Sequence, residues 1–148
     1  MAKPFSALPF ILSRREREYL RGVDKIVRGA AVAGGRRMAE ATKVDTGLAR
    51  SNYQASIGVP NDGVVPPYAP GAKLGRGEQG NLIGVTNQQA NTASAWTPTR
   101  GAPFFIANNI PYIGILNFGG RNHAPGNMLR MGLQAAITYI KTPRRILR

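Results

Sequence analysis

Apolar residues fall at helical spacing toward both ends of the chain, and between them alternate with polar residues or thin out. Placing the N-terminal residues at 100° steps gathers Tyr19, Leu20, Val23, Ile26, Val27, Ala30, Met38 and Ala41 on one face. Arg14, Arg17, Arg21, Lys25 and Arg28 line up on roughly the opposite face. Ser13 followed by Glu16 matches a capping box, in which each side chain satisfies a backbone amide of the other's turn. The pattern predicts a helix from Ser13 to Lys43, about 45 Å long from Arg14 onward. Gly34-Gly35 interrupts it and is expected to bend or split the helix, at about 1 kcal/mol per glycine relative to alanine. Residues 1–12 carry prolines and large apolar side chains without a helical period. They read as an arm, disordered alone or docked on a neighbour.

Beyond Gly47, Tyr53, Ala55, Ile57 and Val59 alternate with Asn52, Gln54 and Ser56, which predicts a half-buried strand with a polar outer face. Residues 60–81 hold four prolines and five glycines and read as one long loop. Leu82 to Val85 suggests a short strand, and the Gln-, Asn-, Ala- and Thr-rich stretch 86–100 supports no assignment. Phe104 to Ala107 reads as a strand closed by an Asn108-Asn109 turn. Ile110 to Phe118 is apolar and ends at Gly119-Gly120. A last helix follows Pro125, with Leu129, Leu133, Ala136 or Ile137, and Ile140 at helical spacing, and Pro143 stops it. The fold class is therefore α+β, with long N-terminal and C-terminal helices covering one face of an antiparallel sheet. Residues 1–12 form the arm, 13–141 a single domain and 142–148 a basic tail.

Composition sharpens this picture in three places. A chain of 148 residues is large enough to bury roughly 70% of its unfolded surface as one domain. With no cysteine it has neither a disulfide framework nor a cysteine metal site, which points to a cytoplasmic setting. The apolar run Ala7 to Leu12 is too short for a membrane span or a signal peptide, so no membrane role is expected. Charge is the unusual quantity: 20 Lys and Arg against 7 Asp and Glu give +13. That excess implies a polyanionic or strongly acidic partner. Trp96 and the few other aromatics do not interleave with the arginines, so base stacking is not indicated. Contact with a nucleic-acid backbone or an acidic protein fits better.

Three groups suggest chemistry and each has a plainer reading. Asp45-Thr46-Gly47 matches the aspartic-protease tripeptide, but it follows a charged helix rather than an apolar strand, and no second such carboxylate exists without dimerisation. Lys43 and Arg50 beside it would hold Asp45 ionised instead of letting it share a proton. A structural turn, with Gly47 supplying the backbone freedom, is the better reading. His123 is the single histidine and has no Cys, Asp or Glu near it in sequence, so it reads as a loop residue. Gly71, Gly75, Gly77 and Gly80 lack the Gly-Lys-Ser/Thr ending and the leading strand of a phosphate-binding loop. No enzyme activity, cofactor or metal is expected.

Four segments taken in order resemble a known family. Val44-Asp45-Thr46-Gly47-Leu48-Ala49-Arg50-Ser51-Asn52-Tyr53 is similar to the VDTG-x-x-R-x-x-W/Y stretch of bacteriophage tail-completion (neck, head-tail joining) proteins. Ile106 to Tyr112 resembles their NN-x-PYA element, Asn117-Phe118-Gly119 their E-Y/F-G, and Ala124 to Met128 their APxGM lead into the last helix. Ile113 and Asn117 depart from the pattern, which usually has Ala and Glu there. The resemblance spans residues 14–140. It implies a non-enzymatic virion protein, assembled in the host cytoplasm, that forms a homo-oligomeric ring between the head connector and the tail.

On that reading the partners are further copies of the chain, portal or head-connector proteins, tail-terminator or tail-tube proteins, and double-stranded DNA passing through. The arm and the long loop become useful if they order on adjacent subunits, with Phe5, Leu8, Phe10, Tyr68, Tyr112 and Phe118 as inter-subunit contacts. Arg14, Arg17, Arg21, Lys25, Arg28, Arg144 and Arg145 are the candidate contacts to DNA or an acidic protein. Tight DNA binding would retard ejection, which favours acidic protein for most of the charge. Alternatives are another ring of the same region, a tail terminator or head-closure protein, and a small basic nucleic-acid-binding protein.

Overall fold

The computed structural model describes residues 8–43, 46–71 and 78–142. The architecture is mixed helix and sheet. Helix α1 (Leu8–Ala41) is followed by a single helical turn, α2 (Leu48–Ser51), and strand β1 (Gln54–Ile57). Helix α3 (Glu78–Ala95), a 3-10 turn at Pro98–Arg100, strand β2 (Phe104–Ala107), and helices α4 (Ile113–Phe118) and α5 (Met128–Lys141) complete it.

Helix α1 starts five residues before the predicted cap. Ser13 lies inside it, and its Oγ donates to the Phe10 carbonyl at 3.0 Å instead of capping a helix start. Residues 8–12 are thus helix and not extended arm. The paired glycines do not split α1 either, because each admits a neighbour. Gly34 faces α5, where an added Cβ would sit 3.1 Å from the Gly132 carbonyl oxygen. Gly35, about 100° further round, faces Gln89 of α3 and Ile106 of β2. Loss of helix propensity at two positions is exchanged for close approach on two sides.

Helix α3 replaces the predicted short strand and the unassigned stretch after it. Its buried residues are Asn81, Val85, Gln89 and Ala93, one per turn, so half of the buried face is amide and the apolar period is weak. The sheet has only two strands among the described residues, antiparallel with Gln54 opposite Ala107 and Ile57 opposite Phe104. The face predicted for β1 is also reversed in part. Asn52 and Gln54 are buried, while Ile57 and Val59 are exposed.

The central cluster draws Ala39 from α1, Tyr53, Val85 from α3 and Met128 from α5, with Met38, Leu82, Ile106 and Leu116 packed around it. Among the described residues nine apolar side chains are buried, five of them alanines, against nine polar or charged ones. Hydrogen bonds therefore hold this fold together as much as apolar packing does.

Candidate functional surfaces

The first motif builds a corner around a buried guanidinium. Gly47 adopts φ +86°, and a side chain there would collide with Asn81, so glycine is required twice over. Thr46 Oγ1 accepts from the Leu48 amide at 3.4 Å. Arg50, 3% exposed, donates through Nη2 to the carbonyls of Glu40 at 3.0 Å and Thr42 at 2.7 Å. Its Nη1 meets the Glu78 carbonyl at 3.3 Å and the Glu78 carboxylate at 3.0 Å. Helix C-termini leave carbonyls without partners; one arginine here satisfies the end of α1 and binds it to the start of α3. Arg50 is thus turned inward, to the end of α1 and to Glu78. Val44 and Asp45 lie outside the described residues.

Three carboxamides extend the corner by pairing, side chain to backbone, with both peptide groups of one residue. Asn52 takes the amide and carbonyl of Val65, each at 2.8 Å. Asn81 takes those of Ala69, also at 2.8 Å, and accepts from Ser51 Oγ at 2.9 Å. Gln88 takes those of Ala55 at 2.9 Å, which occupies the free edge of β1. Neighbouring Gln89 donates to the Tyr53 carbonyl at 2.9 Å. The loop from residue 58 to 71 is consequently fastened to its own domain, with Val59 and Val64 still exposed. Burial pushes the Tyr53 phenol above its ordinary pKa, an effect that its hydrogen bond with Thr42 at 3.1 Å partly offsets.

The other motifs are tied to this corner and to each other. Asn108 donates to the Ala49 carbonyl at 2.8 Å. Asn117, buried, accepts the amide of Leu129 on its side chain and that of Asn127 on its carbonyl, both at 3.0 Å, and so closes the start of α5. Gly119 ends α4 at φ +84° against His123 and Pro125. The glycines at 47, 119 and 120 thus lie at helix ends and in a tight bridge to His123. His123 Nδ1 sits 2.8 Å from the Ala124 carbonyl. Among the described residues no three His, Asp or Glu side chains converge as metal ligands.

Two kinds of surface remain. In the basic row, Arg14 pairs with Glu18 at 3.0 Å, and the Arg28 guanidinium donates to the Trp96 carbonyl. Arg17, Arg21 and Lys25 are exposed; Arg144 and Arg145 lie outside the described residues. The apolar surface is broader, since seventeen large apolar side chains are exposed among the described residues. Of the predicted contacts, Phe10 and Phe118 are each about 70% exposed and Tyr112 is exposed at the start of α4. Tyr68 packs on Gly84 and its hydroxyl accepts from Gln54, so part of it serves its own chain. Phe5 and the Leu8 side chain lie outside the described residues. The outward ridge of α5 is not foreseen by the sequence pattern: Leu129, Leu133, Ile137 and Ile140 are exposed, although their period predicts packing against the sheet. An open groove of about 770 Å³ runs between α1 and α5, lined by Ala33, Arg37, Arg130 and Met131 among others. No described helix is long and apolar enough to cross a membrane.

Comparison with protein-family models, with curated proteins and with solved structures finds no match.

Proposed function

We propose that the chain is a structural subunit of a homo-oligomeric ring at the head-tail joint of a long-tailed bacteriophage, completing the tail and connecting it to the head around the DNA channel. The observation that carries this reading is the mismatch between a small core and a large apolar exterior. A chain whose buried apolar set is mostly alanine, yet whose helices turn Leu, Ile and Phe outward, is built to be covered by other protein. The four family-like segments support it in a second way. They interlock as scaffold, through Asn108 to Ala49 and Asn117 to α5, which suits a subunit whose task is shape. The exposed Arg17, Arg21 and Lys25 serve docking on an acidic face of a neighbouring ring.

Electron microscopy tests the assignment. Purified protein is expected to form closed rings, and antibody against the chain is expected to label particles at the neck. Labelling at the tail terminator or head-closure position instead would select the neighbouring ring. A protein that stays monomeric and is absent from particles overturns the assignment.

A further inference from the structure

Each copy presents two apolar helix surfaces of similar length that the described residues leave uncovered. The first is on α1, which at 34 residues is about 51 Å long, against about 21 Å for the 14 residues of α5. Gly29 facing Tyr139, and Gly34 facing Gly132, place α5 antiparallel beside the later part of α1. Asp24 Oδ1 accepts from the Thr99 amide at 2.9 Å. Upstream of that contact every residue from 14 to 21 is exposed, and residues 8–23 project about 24 Å. On this projection Leu12, Tyr19 and Leu20 are 58%, 56% and 38% exposed. They lie on the stripe that, further along α1, carries Ala30 and Gly34 and receives α5.

The second surface is the outward ridge of α5, where Leu129, Leu133 and Ile140 are each more than half exposed. We propose that the α5 ridge of one copy packs on the projecting part of α1 of the next, end to end with that copy's own α5. The occupant follows from what each alternative leaves bare. Pairing two α1 projections would leave both α5 ridges in water. Pairing two α5 ridges would leave both projections uncovered. The α1–α5 contact covers both surfaces of every copy with one kind of interface and continues the stripe on which α1 already receives its own α5; repeated around a closed rotation it makes a ring, whereas made twice between two copies it would stop at a dimer.

The inference rests on the ring reading but is tested separately from it. Because the chain has no cysteine, Leu20→Cys and Leu133→Cys variants each carry a single thiol. Mixed and treated with a short bis-maleimide, they are expected to give mainly Leu20-to-Leu133 cross-linked dimers, and the double variant a ladder of multimers. Cross-links that join like positions, or none at all, overturn the contact. Leu133→Glu is exposed and should keep the circular dichroism of the parent while its light-scattering mass falls to that of a monomer; an unchanged mass also overturns it. Oligomers that persist without the Leu20-to-Leu133 cross-link remove the α1–α5 contact and leave the ring reading standing. Cross-linked oligomers of a protein missing from particle necks do the reverse.

Discussion

A guanidinium withdrawn from water must meet several acceptors at once, and Arg50 meets three carbonyls and one carboxylate. The carbonyls should matter most, because the Glu78 side chain is 53% exposed and its attraction is weakened by solvent. Arg50→Ala is expected to cost about 3 kcal/mol in urea unfolding, since it leaves the end of α1 unsatisfied. Arg50→Lys should recover less than half, an ammonium having no fork to span α1 and α3. Glu78→Gln should cost under about 1 kcal/mol; equal losses for Glu78→Gln and Arg50→Ala would show that the ion pair dominates instead. Tyr53 adds a pH limit. Its folded pKa is raised by burial, so the neutral phenol is favoured in the fold. Its contribution is complete below the ordinary phenol value of about 10 and is lost as pH climbs through the raised one. Alkaline titration should therefore show Tyr53 ionising together with loss of the far-ultraviolet circular dichroism. Tyr53→Phe should move that unfolding to higher pH, at about 1 kcal/mol of neutral-pH stability for the lost bond to Thr42.

Glycines and amides decide how the helices meet. Gly34→Val would press a branched side chain on the Gly132 carbonyl, a backbone atom that cannot swing away, and is expected to cost about 1–3 kcal/mol in thermal or urea unfolding. Gly114, inside α4 with open space where its Cβ would be, should behave oppositely: Gly114→Ala is expected to stabilise by about 0.5–1 kcal/mol. Asn81→Ala removes both bonds to Ala69 and the one to Ser51, so limited proteolysis should cut within residues 58–71 while the parent resists. Cleavage of both at equal rates would mean that Asn81 does not fasten the loop. These same residue types mark where sequence patterning succeeds and fails. The apolar period finds α1 and α5, and Phe104 to Ala107 is read correctly as β2, because apolar residues there repeat at the spacing of the element, although in α5 they mark the exposed ridge and not the packed face. In α3 the period itself is lost, because its inner face carries Asn81 and Gln89; a repeat of every fourth residue, Asn81, Val85, Gln89, Ala93, is the available signal. The same cause reverses the face of Asn52 and Gln54, since a carboxamide that matches a peptide group is buried as readily as a leucine. The Arg50 corner was legible as a turn but not as an inward-facing clamp, because nothing local in the chain shows that Glu78 will reach it.

Across the whole molecule, the +13 charge and the uncovered apolar helices act at different ranges. Apolar faces set which surfaces pack, whereas charge sets which partners approach and how salt weakens them. Arg28 is engaged by the Trp96 carbonyl and Arg14 by Glu18, so the part of the row left for a partner is Arg17, Arg21 and Lys25. If that row docks on an acidic protein ring, replacing all three by glutamine should weaken capture by the connector. It should also leave the salt dependence of duplex DNA binding nearly unchanged. If the row instead tracks phosphates, each lost contact should flatten the plot of log affinity against log salt by about 0.9, or roughly three in all. All three side chains are exposed on one helix, so the variant should unfold within about 0.5 kcal/mol of the parent, and any change in binding is then a change of surface. A flattening near three, with connector capture intact, would assign the row to the DNA channel and leave the acidic-ring docking without support.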